Sequence, residues 1–371
     1  MLREVLPRLA GDLDVTVFAL NVRDAAAASS VAGTRVVVNS LLGDPYGREQ
    51  LPGLLDEVRP DVVLLHHDLY LYSVLEEPLT AHRAARPHVR VVAYCPIEWA
   101  ATRPGNVRTL AGCDVVVAYT RFAAGTIETA FAGHDGAPDV AVIGHGVDTR
   151  IFRPAGGARR ALFPDRPELE NAFVVLNANR NVPRKMIGLS MAAFAEFAAR
   201  KADAHLLLHM GMRDTGIDIP SLARELGITD RILTTTNEDA PPRLPDETLN
   251  LVYNAADVGL NTATGEGWGL VAFEHGATGA AQVMPAHSAC AELWRGKALL
   301  VPVEDGREDE GVVSRDGVVA ALETLYSDPG LRSRLGDAAR QQALDPRFDW
   351  DTIAESWKSL LTKEAEVVRS S

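Results

Sequence analysis

The sequence has little of what several protein classes depend on. It holds three cysteines, Cys95, Cys113 and Cys290, and such an odd, widely spaced set excludes a disulfide framework or a zinc knuckle and suits a reducing compartment. Aromatic residues make up only 6% of the chain, and no run of about 18 apolar residues predicts a membrane span. The N-terminus carries Glu4 and Arg8 where a signal peptide needs an apolar core. These absences predict a soluble, cytoplasmic protein.

Positive charge is also scarce. The 37 Lys and Arg residues against 50 Asp and Glu residues leave a net charge of -13, which disfavours nucleic acid or an anionic membrane as the main partner. Any anion-binding site must therefore be local. The remaining composition, 47% hydrophobic and 23% charged, is ordinary for a globular protein and excludes disorder, collagen and coiled coil. A length of 371 residues favours two domains over one.

Short apolar, β-branched runs alternate with helical stretches in two successive series. The runs lie at 15–20, 36–38, 62–65, 89–94, 115–118 and 140–143, and then at 173–177, 205–209, 232–235, 258–260, 282–284 and 299–301. This alternation predicts an α/β protein with two doubly wound, parallel-sheet domains. The Pro-, Gly- and Arg-rich stretch 152–170 is the predicted linker, so the domains are expected at 1–150 and 151–347. A final amphipathic helix within 348–371 and a first one at the N-terminus must each cover an apolar face.

The segment 254–274 is the most informative part of the chain. A predicted strand runs there into a loop with Gly265, Gly267 and Gly269 and then into a helix. Free backbone N–H groups and the helix dipole make such a loop an anion site, typically for phosphate. The alternative is a tight turn with no ligand.

Two carboxylates accompany this loop. Glu266 lies within it, and Glu274 follows eight positions later on the helix. Because a carboxylate accepts hydroxyl hydrogen bonds with charge assistance, this pair points to sugar and ribose hydroxyls beside the phosphate. The alternative, two solvated glutamates on a helix surface, is less favoured beside Trp268 and three glycines.

A basic segment, 177–185 (NANRNVPRK), follows the first strand of the second series. Doubly wound folds present ligand-contacting loops at such positions. Arg180, Arg184 and Lys185 would hold a diphosphate there and stabilise its charge as it leaves. The alternative is a basic surface loop.

Signals for other enzyme classes are weak. The chain has no phosphate-binding G-x-x-x-x-G-K-S/T loop, and GEGWGL departs from the dinucleotide fingerprint at Leu270. The two D-x-D triplets, 12–14 and 349–351, are interpreted as a turn and a helix cap. We therefore predict no metal.

Together, HGVDTRIFRP from His145, NRNVPRK and LNLVYNAADVGLNTATGEGWGLVAFEHGATG resemble the glycosyltransferase family 4 group of retaining, nucleotide-sugar-dependent enzymes. The resemblance covers most of the chain and implies the GT-B fold, with two Rossmann-like domains and the final helix, FDWDTIAESWKSL, crossing back to the first. It implies a UDP- or GDP-sugar donor bound by the second domain, a small-molecule or glycan acceptor held by the first, and no cofactor.

The family's site residues carry over by position. Glu266 would contact hydroxyls of the donor sugar, Glu274 the ribose, and Arg180 and Lys185 the diphosphate. The donor-binding loop would comprise Gly265, Gly267, Trp268, Gly269 and Leu270.

The chain also departs from the family pattern. Members usually begin with a strand and a glycine-rich loop ahead of the helix that matches LREVLPRL, so the resemblance implies a missing central strand, through a late start site, a truncation or a lost loop. The segment 288–292 (SACAE) lacks the paired glycines usual at that place. Where the family often has a histidine, this chain reads CPIEW, which makes Glu98 the candidate acceptor-side catalytic group or else a solvated loop residue. His66, His67 and Asp68 follow a predicted strand and are further candidates for acceptor contacts.

Two alternatives to glycosyl transfer stay open on these residues. A nucleotide-sugar epimerase or a sugar phosphorylase uses the same fold, and a non-catalytic protein that binds sugar nucleotides would share the donor site.

Overall fold

The computed structural model describes residues 1–20, 33–39, 43–99, 104–304 and 311–370. They form two compact units. The first contains the described residues up to 97, residues 104–146 and the C-terminal segment from 347 onward. The second contains residues 147–346 together with Glu98 and Trp99.

The described residues form strands and α-helices in regular alternation. The strands are β1 (Thr16–Ala19), β2 (Arg35–Val38), β3 (Val62–His66), β4 (Arg90–Cys95), β5 (Val115–Ala118), β6 (Asp139–Val142), β7 (Phe173–Asn177), β8 (Ala204–Leu208), β9 (Ile232–Thr234), β10 (Val258–Leu260), β11 (Ala281–Pro285) and β12 (Leu299–Val301). The α-helices are α1 (Leu2–Leu9), α2 (Leu51–Val58), α3 (Leu69–Ala85), α4 (Pro104–Val107), α5 (Arg121–Phe131), α6 (Ala158–Leu162), α7 (Ile187–Ala198), α8 (Ile219–Glu225), α9 (Asp246–Asn254), α10 (Leu270–Ala277), α11 (Ser288–Trp294), α12 (Arg315–Ser327), α13 (Pro329–Ala343) and α14 (Trp350–Ser370). None of these helices is long and apolar enough to span a bilayer.

The strands of the second unit form one six-stranded parallel sheet in the order β12-β11-β10-β7-β8-β9. Val175 on β7 and Val258 on β10 are register partners, and both are fully buried. The strand order reverses between β7 and β10, and ligand loops of open α/β sheets lie at the carboxyl ends of strands at such a point. The loops after β7 and β10 are the two that the sequence singles out, so the fold places them side by side.

The strands of the first unit form two parallel sheets, β1-β2 and β3-β4-β5-β6, where the alternating pattern predicts one. Within the part of the chain described, no strand ladder joins β1 to β3. The two central strands of the four-stranded sheet, β4 and β5, are buried, and the core around them includes Leu75 of α3, Val91 and Ala93 of β4 and Ile127 of α5. Continuous apolar runs such as those of β4 and β5 are typical of strands in parallel sheets that helices cover.

The final helix belongs to the first unit, as the resemblance implies. Trp357 on α14 is 1% exposed and packs edge-on against Tyr94 with ring centroids 4.7 Å apart. Arg8 on α1 pairs with Asp351 on α14, Nε to Oδ1, at 2.6 Å. The predicted cap at Asp349 is confirmed, since its Oδ1 accepts the backbone N–H of Asp351 at 2.8 Å.

The predicted linker, 152–170, lies within the second unit. Arg159 on α6 pairs with Asp257 at 2.7 Å and donates to the carbonyl oxygens of Ala172 and Ala255, both at 2.9 Å. An Arg side chain can serve several acceptors at once, so it fixes this stretch against β7 and the end of α9.

Candidate active site

Hydrogen bonds fix the loop after β7 against the loop after β10. The Thr262 hydroxyl lies 3.1 Å from the carbonyl oxygen of Lys185 and 2.7 Å from the hydroxyl of Ser190. The backbone N–H of Thr264 donates to the carbonyl oxygen of Arg184 at 2.9 Å. Each basic residue is therefore placed by its own backbone against the glycine loop.

Glu266 lies at the centre of a buried polar cluster. Its Oε1 is 2.5 Å from Nζ of Lys185 and accepts from Nδ2 of Asn261 at 2.9 Å, and its Oε2 is 3.4 Å from Nη1 of Arg184. Burial alone would raise the pKa of Glu266, but the charges of Lys185 and Arg184 and these hydrogen bonds hold its pKa below the ordinary value. Glu266 is thus an ionised carboxylate, and the structure pairs it directly with Lys185.

Glu98 lies at the same cluster. Its Oε1 is 2.8 Å from Nη2 of Arg184, whose Nη1 also donates to the carbonyl oxygen of Gly265. A Cβ on Gly265 would lie 2.6 Å from Nε1 of Trp99 and 2.7 Å from the carbonyl oxygen of Glu98. Only glycine permits that approach, so Gly265 serves the docking of the Glu98–Trp99 segment as well as the loop. An acceptor-side role for Glu98 stays a prediction.

Arg180 is paired with a carboxylate from the loop after β8. Its Nε and Nη2 lie 2.6 and 3.1 Å from the two carboxylate oxygens of Asp214, in bidentate geometry. The hydrogen bond from Arg180 lowers the pKa of Asp214, although burial opposes it. The Arg180 side chain is 59% exposed, so it is accessible to an anion from solvent while Asp214 is bound.

Glu274, on α10, accepts a hydrogen bond from a buried tyrosine. The hydroxyl of Tyr253, a residue on α9 that is 2% exposed, donates to Oε2 of Glu274 at 2.6 Å. Burial raises the pKa of Glu274 to about 7 against the opposing effect of this hydrogen bond, and the charge of Asp246 raises it further. Tyr253 lies within the motif that carries the resemblance, but its contact with Glu274 was not anticipated.

The glycine loop ends at the N-terminus of α10. Gly269 has φ +93°, a left-handed conformation that favours glycine, and Leu270 begins the helix. Trp268 is 5% exposed and stacks on Phe273 with ring centroids 5.2 Å apart. Within the described ranges, no acceptor receives the N–H of Gly267 or Leu270. These groups suit the predicted phosphate or sugar contact.

Asn181 is a site residue that sequence reasoning missed. It is fully buried, its Nδ2 donates to the carbonyl oxygens of Gly211 and Ile217 at 3.1 and 2.8 Å, and its Oδ1 accepts the N–H of Ile217 at 3.0 Å. These bonds fix the loop that carries Asp214. A side chain that bonds only to distant backbone leaves no periodic or spacing signal.

His66, His67 and His145 lie in the first unit. Nε2 of His66 is 3.4 Å from the hydroxyl of Tyr119, and Nδ1 of His145 is 3.3 Å from the hydroxyl of Tyr94. Burial lowers the pKa of His66 to about 4 and that of His145 to about 3, so both rings are neutral at pH 7. His67 accepts the backbone N–H of the residue that follows it. A role of His66 and His67 toward an acceptor stays a prediction.

Known proteins resemble this chain over much of its length. A D-inositol 3-phosphate glycosyltransferase of Acidothermus cellulolyticus is 33% identical over 274 residues, which are 68% of this chain and 55% of that protein. A protein of the same name from Streptomyces bingchenggensis is 29% identical and aligns with 95% of this chain and 81% of its own. The chain thus spans about half the length of the first relative. No protein-family model matches it.

Solved structures share the fold at low sequence identity. Sucrose-phosphate synthase from Thermosynechococcus elongatus is 19% identical with a TM-score of 0.72, over 97% of this chain and 91% of that one. Anabaena HepE in complex with UDP-glucose is 17% identical with a TM-score of 0.72, over 98% and 94%. Identities this low show a common fold alone. Since motifs, architecture and relatives agree, the chain belongs to the glycosyltransferase family 4 group and has the GT-B fold.

Proposed function

We propose that this protein transfers a sugar from a nucleotide diphosphate sugar, a UDP- or GDP-sugar, to an acceptor hydroxyl with retention of anomeric configuration. The observation that carries the proposal is the buried Lys185–Glu266 pair, 2.5 Å long, beside the glycine loop. A sugar nucleotide needs a cation for its diphosphate and a carboxylate for its hydroxyls, and this pair supplies one of each.

The cations take the diphosphate by exchanging partners. Arg180 leaves Asp214 and Lys185 turns from Glu266 toward phosphate oxygens, with the N–H groups of Gly267 and Leu270 as further donors. As the leaving group departs, negative charge grows on its oxygens, and each preorganised donor contributes about 3 to 4 kcal/mol to the transition state.

The two glutamates orient the rest of the donor. Glu266, ionised and buried, accepts from hydroxyls of the transferred sugar, and Glu274 accepts from the ribose. The family retains the anomeric configuration, and no nucleophile is assigned to this chain. Both points favour same-face substitution. The bond from C1 to phosphate oxygen breaks, the acceptor oxygen bonds to C1 on the same face, and the acceptor proton passes to the leaving phosphate. A glycosyl-enzyme adduct trapped and seen by mass spectrometry would contradict this step.

The names of the relatives support a choice of acceptor class. They are named for D-inositol 3-phosphate, and a fold neighbour is a sucrose-phosphate synthase. We therefore propose a phosphorylated polyol or sugar as the acceptor, with inositol phosphate as the first compound to test.

The test is turnover of a donor panel with inositol phosphate. Release of UDP or GDP is followed by coupled assay, and the product's anomeric configuration by NMR. Arg180→Ala is expected to lose most turnover. Arg213→Ala is the matched control, because Arg213 is similarly exposed but pairs with Asp218 and Asp239. Equal turnover in both variants would overturn the assignment of Arg180. Conversion of the donor without acceptor would indicate an epimerase. Transfer of the sugar to inorganic phosphate would indicate a phosphorylase. Binding of the donor without turnover would indicate a non-catalytic protein.

A further inference from the structure

Ser288, the first residue of α11, has a backbone conformation that is unfavourable for it. Its φ is +46°, and it is 8% exposed. Among the described non-glycine residues only Arg59, Met186 and Ser288 have positive φ, and Met186 directly follows Lys185. Strained backbone that persists in a buried position must be over-determined by its surroundings and concentrates at functional sites.

The Ser288 side chain links this strained position to Glu266. Its Oγ accepts the backbone N–H of Glu266 at 3.2 Å and lies 2.9 Å from Nδ1 of His287. Nε2 of His287 lies 3.0 Å from the carbonyl oxygen of Ala263. A carbonyl only accepts, so Nε2 carries the proton in the neutral ring, Nδ1 accepts, and the Ser288 hydroxyl donates to it.

This chain of hydrogen bonds fixes the backbone of the glycine loop on both sides of Glu266. One end holds Ala263 and the other holds the N–H of Glu266, while the backbone N–H of Ala289 adds a longer contact, 3.4 Å, to the carbonyl oxygen of Glu266. Lys185 and Asn261 hold the carboxylate, but these bonds hold the backbone from which it projects.

We propose that Ser288 and His287 are positioning residues for Glu266, setting where its carboxylate meets the hydroxyls of the transferred sugar. The proposal rests on the function given above. Glycine at 288 would take the left-handed conformation without strain, yet it would leave the N–H of Glu266 without its acceptor. Serine at position 288 therefore adopts an unfavourable φ and makes a hydrogen bond that glycine cannot make.

The test separates this role from general stability. Ser288→Gly relieves the strained φ but leaves the N–H of Glu266 without its acceptor, so its melting temperature is expected to stay close to that of wild type. Its kcat with a UDP-sugar or GDP-sugar should fall about tenfold or more. Its affinity for the free nucleoside diphosphate, which lacks the sugar, should stay within about twofold of wild type. Ser288→Ala should lose kcat equally and melt below both Ser288→Gly and wild type, since it loses the same hydrogen bond and keeps the strain.

His287→Gln tests the second residue. Glutamine retains a donor for Ala263 but removes the acceptor of the Ser288 hydroxyl, so kcat should fall less than in Ser288→Gly, with nucleoside diphosphate affinity again unchanged. Wild-type kcat in Ser288→Gly would overturn the proposal, as would a loss of nucleoside diphosphate affinity that matches the loss of kcat.

A readout without turnover distinguishes failure of this inference from failure of the proposed function. Hydrogen exchange of the loop 262–270 should be faster in Ser288→Gly than in wild type, with α7 and α13 unchanged. If wild type turns over no donor, the proposed function fails while this comparison still decides the positioning. Unchanged exchange in the loop would overturn the positioning even in an active enzyme.

Discussion

The Tyr253 hydroxyl donates to Oε2 of Glu274 across 2.6 Å, and this bond opposes the rise in pKa that burial imposes on the carboxyl. With a pKa of about 7, Glu274 is half protonated in the free protein at neutral pH. The charged form is the better acceptor for ribose hydroxyls. Because we propose that Glu274 holds the ribose, we expect donor affinity to depend on pH through this residue.

Tyr253→Phe is expected to move that pH dependence upward. In wild type, donor affinity should rise as pH increases through about 7 and level off above it, because the ionised carboxylate binds. Removing the hydroxyl removes a donor to the charged form, so the midpoint should shift to higher pH. Calorimetric titration from about pH 5.5 to about pH 8.5 measures it, with an intact sugar nucleotide because its esterified diphosphate does not titrate there.

Glu274→Gln provides the control, since an amide cannot titrate and the dependence should vanish. A midpoint that is unchanged in Tyr253→Phe, or that moves downward, would contradict the assignment.

Lys185→Met is expected to destabilise the fold by about 3 kcal/mol, because it leaves the buried Glu266 carboxylate with only Arg184 and Asn261. The double variant with Glu266→Gln should recover most of that loss, since no buried charge then lacks its partner. Arg180→Ala should change the free energy of unfolding by less than about 1 kcal/mol, because its ion pair is exposed. Urea unfolding measures all three. A Lys185→Met protein as stable as wild type would show that the buried pair is not held as described.

Asp214→Asn is expected to raise affinity for a nucleoside diphosphate about threefold, because Arg180 no longer has to give up an ion pair on binding. The gain should shrink as salt concentration rises. Calorimetric titration with UDP or GDP at two salt concentrations tests it. A weaker affinity in Asp214→Asn would mean instead that Asp214 orients Arg180 for the ligand.

Gly265→Ala is expected to cost about 1 to 3 kcal/mol, since its Cβ would meet Trp99 and the Glu98 carbonyl oxygen at under 3.0 Å. The displaced segment would also lose the Glu98–Arg184 contact. Gly188→Ala on α7 is the matched control, because the nearest atom to its Cβ, on Leu222, is 3.7 Å away. Thermal melting and tryptophan fluorescence should change in the first variant and not in the second.

Most strands were predictable because they contain a short, mainly apolar run such as FVVLN at 173–177, a composition typical of strands buried on both faces of a parallel sheet. The pairing of Glu266 with Lys185 was foreseeable only as proximity, since strand order at a switch point brings the two loops together. Their direct contact depends on side-chain positions that cannot be read from sequence spacing. The same holds for the ion pair between Arg180 and Asp214.

The division of the first unit into two sheets could not be predicted from periodicity, because each strand from β1 to β3 has the same local pattern whether or not it has a neighbour on its second edge. Ser288 illustrates the same limit at the site. In the sequence, Ser288 is notable only because the segment 288–292 lacks the paired glycines usual at that place. Its contact with Glu266 becomes visible once φ and the loop geometry are known.

The central claim is that the second unit binds a sugar nucleotide through Arg180, Lys185, Glu266 and Glu274. A thermal-shift panel of UDP, GDP, ADP and dTDP and their sugars tests it most directly, because a ligand at about 100 times its dissociation constant adds about 2.7 kcal/mol to native stability. The account predicts a shift selective for one base that is lost in Glu274→Ala and Arg180→Ala and kept in Arg213→Ala. No shift with any nucleotide, or an equal shift in all four proteins, would contradict it.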